Sequence, residues 1–405
     1  MALAGSLLAA GCGHSSAPYL FEPEPRAALA GLRMDSSRHP RLGADSVASG
    51  TVHMLSVLGT DEPYVALMIS SDGGDTFGAP VRISAAGAKV SSHGENSPGL
   101  IVTPDAIFAV WNEETGAWFA RSLSWGSSFE KPVRLTDSAP GVFSGYGSLG
   151  LAPNGDVYAV WLDARDAPVV PDTFSVYLTR SEDRGETFGP NERVATGVCP
   201  CCRPNLAFGP KGEVLVFWRK VYPGNIRDLT VAVAEDGVHF GPSQKVAADN
   251  WRIEGCPDSG PATARVGGRV YVAWLTEASR EKRGIQLSWS DDAGKTWAPA
   301  VLASRNVLDA NYPSLSATDD GQVVLAFQGR DSESRAGWGV TSPFVVAMGR
   351  NGELSEPTRV PGVRVAISRP TVTAATAGRL FLAWTQAEGD KSAVFLSRAR
   401  LSEGS

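Results

Sequence analysis

The sequence predicts an all-β fold assembled from repeated units of four short strands. The repeat begins at positions about 50 to 58 residues apart, listed here: Pro40, Pro98, Ser148 (in place of proline), Pro204, Pro261, Pro313 and Pro370. Later in each unit comes a short apolar run that ends in an aromatic residue, as in Ile107–Trp111, Val214–Trp218 and Leu380–Trp384. A strand that is apolar on both faces must be covered on both sides. We therefore predict a β-propeller of four-stranded blades, seven by the number of openings, with six as the alternative.

The composition excludes several classes of function. The chain has 405 residues, of which 43% are hydrophobic and 20% charged, and its 44 glycines and 27 prolines predict many turns. The formal net charge is −6 and no run of Lys or Arg occurs, which argues against binding to nucleic acid. After the first dozen residues no apolar stretch is long enough to span a bilayer. A monomer is expected.

The N-terminal residues Leu7–Cys12 resemble the end of a bacterial lipoprotein signal, in which the cysteine is acylated after cleavage. This resemblance implies a signal peptide over residues 1–12, lipidation of Cys12, and a flexible tether over residues 13–25 before a propeller domain over 26–405. The protein is then expected to be exported, at the periplasmic or outer cell surface, and to contact the membrane only through its lipid anchor. An ordinary signal peptide or an incidental cysteine is the alternative. Because the positively charged start of a signal is missing, the natural start is expected to lie upstream.

A second motif recurs late in the units. Ser70-x-Asp72-x-Gly74-x-Thr76-Phe77 is repeated around Asp183 and around Asp292, with a worn copy at Ser122–Phe129. It resembles the Asp box of the BNR-repeat propellers, the sialidases and their relatives. Asp accepts hydrogen bonds from a tight turn and Gly adopts unusual backbone angles, so we assign the motif a structural role. The last unit lacks an outermost strand, and a segment between about Tyr19 and Arg33 is expected to supply it and close the ring.

In such blades one face of the ring carries the loops that precede each opening and the loops that follow each aromatic-ended strand. Polar residues at these places are the candidates for a ligand-binding site. Five of them are arginines: Arg165, Arg203, Arg219, Arg330 and Arg369. Guanidinium groups grip carboxylates in a fork geometry. A glycan or another small anionic ligand is the expected partner.

The resemblance to sialidases extends to part of this candidate site. Tyr312-Pro313-Ser314-Leu315 resembles the sequence around the sialidase nucleophile, which implies that Tyr312 is a nucleophile and that Arg203 and Arg369 clamp a carboxylate. Asp163 is the candidate acid/base, and Glu277 a further catalytic candidate. The first arginine of the sialidase triad lies in a Phe-Arg-Ile-Pro motif, which His39-Pro40-Arg41-Leu42 does not match. The resemblance implies a glycoside hydrolase, and a non-catalytic binding or scaffold propeller is the alternative.

Apart from Cys12, the cysteines are Cys199, Cys201, Cys202 and Cys256. Cys199 and Cys256 each lie five residues before an opening proline, as does His93, so the three positions are equivalent in their units. An even number of cysteines in an exported protein predicts disulfides, here Cys199–Cys256 with Cys201–Cys202, although three connectivities are open. The alternative is a soft-metal site for copper or zinc, formed by the thiolates and His93. No other cofactor is predicted.

Overall fold

The computed structural model describes residues 19–28, 36–44, 50–139, 141–167, 173–331, 339–349 and 352–401. Within these ranges every regular element is a β-strand, as the repeats predict. None of the described residues forms a helix with the length and apolar character that a membrane span requires. Residues 1–12, including Cys12, lie outside the described ranges, so signal cleavage and lipidation stay predictions.

The strands are numbered in chain order. The first fourteen are β1 (Tyr19–Phe21), β2 (Arg26–Ala27), β3 (Ser37–Ala44), β4 (Val52–Leu58), β5 (Tyr64–Ser70), β6 (Val81–Arg82), β7 (Gly99–Val102), β8 (Ile107–Glu113), β9 (Gly116–Ser122), β10 (Val133–Arg134), β11 (Ser144–Leu151), β12 (Val157–Asp163), β13 (Phe174–Ser181) and β14 (Glu192–Val198). The others are β15 (Asn205–Phe208), β16 (Val214–Tyr222), β17 (Ile226–Ala234), β18 (Gln244–Lys245), β19 (Ala262–Val266), β20 (Arg269–Thr276), β21 (Gly284–Ser290), β22 (Val301–Leu302), β23 (Val307–Ala317), β24 (Val323–Asp331), β25 (Ser342–Met348), β26 (Thr358–Arg359), β27 (Ile367–Ala375), β28 (Arg379–Glu388) and β29 (Lys391–Leu401).

Four-stranded antiparallel units account for the sheets. β3–β6, β7–β10, β19–β22 and β23–β26 each form a sheet of four strands in sequence order. β11–β18 form one larger sheet, in which the strands β11–β14 meet the strands β15–β18 through the pairing of Val198 with Lys220. The last sheet has the order β1-β29-β28-β27, with β2 also paired to β29. This sheet topology, with the ring described below, is that of a β-propeller built from four-stranded blades.

The N-terminal segment completes the last sheet, as predicted. β1 pairs with β29 in a register that places Tyr19 opposite Leu401, and β2 pairs Arg26 with Leu396. Tyr19 is only 2% exposed. Tyr19–Phe21, which the domain assignment placed within the tether at 13–25, is therefore part of the sheet, because the outer edge of β29 would otherwise leave its backbone groups unpaired.

The units close into a ring. The first strand of each unit contacts the first strands of its two neighbours, and β27 contacts β3 across the point of closure. The buried apolar clusters of the described residues lie between neighbouring units, and one of them joins Met54 of the first unit to Phe381 of the last. The tryptophans that end the second strands, among them Trp161 and Trp274, are fully buried in these clusters. They pack the blades together, as predicted.

The Asp-box turns share one hydrogen-bond pattern. Asp72 accepts from the backbone N–H of Thr76 at 2.9 Å and from its hydroxyl at 2.6 Å, while the Ser70 hydroxyl accepts from Gly74 N–H at 2.7 Å. Asp183 and Asp292 make the same bonds to Thr187 and Thr296. Each carboxylate is thus occupied within its own turn, at the end of the blade away from the starts of the first strands.

Candidate functional site

A polar cavity of about 240 Å³ lies where the first strands begin, around the axis of the ring. Its ionisable lining comes from positions far apart in the chain: Arg41, Glu95, Arg203, Tyr312 and Arg369. We call this cavity the mouth, and we include in it Asp258, which is hydrogen-bonded to the lining residues Arg369 and Tyr312. Two larger cavities, of about 500 and 410 Å³, lie beside the Asp-box turns of Asp183 and Asp72.

Strained backbone occurs near the starts of first strands, at four positions of which Tyr312 and Arg369 line the mouth. His39, Tyr146, Tyr312 and Arg369 have left-handed φ angles of 54°, 60°, 53° and 49°. At each of these positions the pairing between the first and second strands shifts its register. A bulge of this kind redirects a side chain, and a left-handed non-glycine residue costs about 1 kcal/mol or more. Such strain is typical of functional sites.

Arg369 connects two other groups of the mouth. Its Nη2 donates to Asp258 Oδ2 at 2.9 Å and to the Tyr312 hydroxyl at 3.2 Å. The Tyr312 hydroxyl in turn donates to Asp258 Oδ2 at 3.4 Å. Burial raises the pKa of Tyr312 to about 12, and the charge of Asp258 adds to this while Arg369 opposes it. Tyr312 is therefore a neutral phenol at neutral pH, placed beside a carboxylate that can accept its proton.

Two more arginines lie in the same cavity. Arg203 is 8% exposed and donates to the hydroxyls of Ser148 and Ser97, at 2.8 and 2.9 Å, and to the Gly147 carbonyl. Burial, together with the charge of Arg41, lowers the pKa of Arg203 to about 9. Arg41 donates to the Ser97 hydroxyl at 2.7 Å, so this serine lies between two guanidinium groups.

One donor of the mouth is unused. Among the described residues, Arg369 Nε is buried and has no hydrogen-bond partner. A buried polar atom without a partner costs free energy, and a bound ligand is one way in which such an atom is satisfied. The guanidinium of Arg369 therefore has a donor that no described protein group uses.

Glu95 is the second carboxyl group of the cavity. Its Oε2 accepts from Gly260 N–H at 2.7 Å. Burial raises the pKa of Glu95 above its usual value, although the hydrogen bond from Gly260 opposes the shift. A carboxyl group with a raised pKa can hold a proton and donate it. His39 behaves in the opposite sense, since burial and the arginines around it lower its pKa to about 3 and keep it neutral.

Asp163 was the predicted acid/base, and its position does not suit that role. It is fully buried and accepts hydrogen bonds from Arg165, Ser144 and Trp161. Burial raises its pKa, but these bonds outweigh burial and the net shift is downward. It does not line the mouth, because the indole of the strand-ending tryptophan and Arg165 hold it inside the blade.

The other predicted ligand-binding and catalytic residues also lie away from the mouth. Arg165 pairs with Asp163 and with Asp137 at 2.6 Å. Arg219 is 1% exposed and donates to the carbonyls of Arg227 and Leu275. Arg330 pairs with Asp309. Glu277 is exposed and does not line the cavity. Of the predicted candidates, the mouth brings together Tyr312, Arg203 and Arg369.

The cysteines come together, but not in the predicted pairing. The disulfide joins Cys201 to Cys256, whereas Cys199 and Cys202 are free and buried. The predicted bonds Cys199–Cys256 and Cys201–Cys202 are therefore wrong in this structure. Cys199 and Cys256 do hold equivalent positions in their units, and their sulfurs are 3.6 Å apart. The sulfur that is bonded to Cys256, however, is that of Cys201. His93 is exposed and does not belong to the group of sulfurs that could hold a metal.

Two residues of the mouth were missed by the sequence prediction. Asp258 follows Cys256-Pro257 and precedes the opening Pro261, so it lies in a loop that the rule selects. We interpreted this loop through its cysteine and did not assign Asp258 to the site. Arg41 follows its opening proline and departs from the sialidase motif, so no signal in the sequence selected it. Only the ring places Arg41 beside Arg203.

Comparisons with known proteins add information on the fold. No family model matches the sequence, and no curated protein matches it. Among solved structures, a protein of unknown function from Dyadobacter fermentans is similar with a TM-score of 0.51 and 13% identity, over 91% of this chain and 95% of that one. The polysaccharide lyase Uly1 is similar with a TM-score of 0.51 and 11% identity, over 90% of each chain. Hadza microbial sialidase Hz136 has a TM-score of 0.48 and 16% identity, over 72% of this chain and 63% of that chain. The first two support the fold alone, and the third carries no argument.

Proposed function

We propose that the mouth binds an anionic glycan through a carboxylate. The observation that carries this proposal is the buried, unpartnered Nε of Arg369, in a cavity that also holds the guanidinium groups of Arg41 and Arg203. Guanidinium groups bind carboxylates through paired, charge-assisted hydrogen bonds. A cavity of about 240 Å³ suits a group the size of one sugar ring better than a long chain.

The arrangement of Tyr312 favours a hydrolytic version of this function. The phenol oxygen would attack the anomeric carbon while its proton passes to Asp258, 3.4 Å away. Glu95, whose pKa is raised, would protonate the leaving oxygen and later activate the water that releases the sugar. Asp258 and Glu95 thus take the roles that sequence reasoning gave to Asp163 and Glu277.

A second candidate is binding without catalysis. The hydrogen bond between Tyr312 and Asp258 is long, and the pKa of Tyr312 is raised to about 12, so the resting phenol is a weak nucleophile. A propeller that only holds its ligand would need the three arginines and no proton transfer.

The experiment measures binding and turnover separately. Calorimetry with N-acetylneuraminic acid tests carboxylate binding, and a fluorogenic sialoside tests hydrolysis, each beside the Tyr312→Phe variant. Binding with turnover that is lost in the variant supports the hydrolase. Binding without turnover supports the second candidate. If neither sialic acid nor uronic acids bind, the proposed function is wrong.

The architecture and location of the protein complete the proposal. We infer a ring of seven blades, with the sheet β11–β18 counted as two, supported by the seven first strands that contact one another in turn.

We also propose that the protein is an exported, lipid-anchored monomer with its Asp-box repeats in structural roles. Mass spectrometry of the mature N-terminus tests lipidation of Cys12, and light scattering tests the oligomeric state.

A further inference from the structure

Three other cysteine sulfurs lie within 4 Å of Cys199 Sγ beside the mouth; we call Cys199, Cys201, Cys202 and Cys256 the four-cysteine cluster. Cys199 Sγ is 3.7, 3.6 and 3.6 Å from the sulfurs of Cys201, Cys202 and Cys256. The sulfurs of Cys201 and Cys202 are 3.9 Å apart. Cys201 and Cys256 are bonded to each other. Cys199 is thus surrounded by the other three.

These separations match those of a metal site. A tetrahedral zinc ion with bonds of about 2.3 Å to sulfur places its ligand sulfurs about 3.8 Å apart. Cys199, Cys201 and Cys202 already meet this condition, because their sulfurs are 3.6 to 3.9 Å apart. We propose that the four-cysteine cluster, once its disulfide is reduced, binds one thiophilic metal ion, Zn(II) or Cu(I), through four thiolates.

Arginine side chains beside the cluster would balance the charge of a thiolate–metal centre. Zn(II) with four thiolates carries a net charge of −2, which is costly to bury without cations. Arg227 Nη1 lies 3.1 Å from Cys199 Sγ. The second arginine, Arg219, is 1% exposed, and its backbone carbonyl accepts from Cys199 N–H at 2.9 Å.

The burial of the four residues gives the site a closed side and an open side. Cys199 and Cys202 are 0% exposed, Cys201 is partly buried, and Cys256 is exposed. A metal ion can enter past Cys256 and be held against the buried pair. The disulfide therefore occupies the open side of the cluster, where a reductant can reach it.

The cluster also supports the mouth. Arg203 directly follows Cys202, and Asp258 lies two residues after Cys256. The segment that leads from Cys256 contacts the mouth again at Gly260, whose N–H donates to Glu95. One ion bound by all four cysteines would join the two segments that carry Arg203 and Asp258, and it would set the distance between them.

A dithiol reduces the Cys201–Cys256 disulfide before the metal ion binds. Two electrons and two protons pass from the dithiol to the Cys201–Cys256 bond, giving two thiols, and the dithiol becomes a disulfide. Binding of the metal ion then releases the protons of the four thiols to solvent.

The test reconstitutes the full chain with the metal ions themselves. The protein is reduced with a dithiol, and Zn(II) or Cu(I) is added in competition with a chromophoric chelator under anaerobic conditions. We expect one ion per chain, and Co(II) in its place should show the absorption bands of tetrahedral thiolate coordination. Cys256→Ser, at the exposed position, should weaken metal binding by about tenfold to 100-fold or more.

Cys12→Ala is the matched control, because it removes the one cysteine outside the cluster and should leave one ion bound. Far-UV circular dichroism of Cys256→Ser establishes that the variant is folded. The proposal would be overturned if the reduced, folded protein, with the thiols of the cluster free, had no higher affinity for either ion than Cys256→Ser has. Coordination of Co(II) without thiolate bands would overturn it as well.

Discussion

Arg369 and Asp258 form an ion pair of 2.9 Å in the mouth, although 111 positions separate them in the chain. The same Nη2 atom of Arg369 donates to the Tyr312 hydroxyl, so the three residues act as one hydrogen-bonded unit. The guanidinium also lies over the Tyr312 ring, with its carbon 4.5 Å from the ring centre. Removal of the Arg369 side chain would therefore alter the charge beside Tyr312, its hydrogen bonding and its ring contact together.

Arg369→Lys tests the carboxylate-binding role of the guanidinium. Lysine keeps the positive charge but loses the fork of donors, so we expect the affinity for a carboxylated sugar to fall by about tenfold or more. Calorimetry measures the affinity. Arg364→Lys, whose side chain is 79% exposed, is the matched control and should bind as the unaltered protein does. Equal affinities for the two variants would contradict the assignment.

Tyr312→Phe separates chemistry from binding. The variant keeps the ring over which Arg369 lies and removes only the hydroxyl, so we expect turnover of a sialoside to be lost while the affinity for sialic acid changes by less than about tenfold. Tyr64→Phe, in the first unit, is the control and should retain full turnover. Turnover by Tyr312→Phe equal to that of the control would exclude Tyr312 as the nucleophile.

Asp163→Asn tests the structural role of this buried carboxylate. Its hydrogen bonds to Arg165, Ser144 and Trp161 are made by the ionised form, so we expect the substitution to lower the free energy of unfolding by about 1–3 kcal/mol at pH 7. The pKa of Asp163 is lower in the folded protein than in the unfolded chain, where it is about 3.9. The carboxylate therefore stabilises the fold above that pH, and this contribution is lost as the pH falls through the folded-state pKa.

Urea unfolding of both proteins between pH 7 and pH 3 measures this effect. The two free energies of unfolding should approach each other as the pH falls below about 4. A difference that stays constant with pH would show that the pKa of Asp163 does not change on folding. If a folded Asp163→Asn protein did not bind the ligand at pH 7, Asp163 would instead be shown to contribute to ligand binding.

Tyr19→Ala tests closure of the ring by the N-terminal strand. Tyr19 is 2% exposed and packs in a cluster with Val345 and Leu380, so we expect its removal to cost about 3 kcal/mol or more. Leu20, the next residue, is 64% exposed and supplies the control, since Leu20→Ala should change the stability by less than about 0.5 kcal/mol. Thermal unfolding measures both, and equal melting temperatures would show that β1 does not stabilise the last sheet.

Local patterns in the sequence predicted most of the architecture. The apolar runs predicted the buried second strands, such as Val157–Asp163, because a strand covered on both faces must be apolar on both faces. The missing outer strand of the last unit predicted pairing by a segment that begins near Tyr19, because a sheet edge has to be closed. Each of these features is encoded within one unit of the repeat or by the absence of one strand.

The tertiary structure alone decided the composition of the site. Asp163 and Arg203 both follow the sequence rule for loops at the mouth, yet Asp163 turns into its own blade to accept from Trp161, while Arg203 lines the cavity. Likewise, the regular spacing of Cys199 and Cys256 predicted a bond between them, but the loop places Cys201 at the bonding position.

The sequence by itself therefore determined the β-strands and the four-stranded units, because these depend on neighbours a few residues apart, and it indicated the closing segment because the last unit lacks an outer strand. Only the ring decided that Arg41, Asp258, Tyr312 and Arg369 share one mouth and that four cysteines share one cluster. The physical reason is that distances across the ring depend on how the blades pack and on the bulges at the starts of their first strands. Neither quantity is expressed in the spacing of residues along the chain.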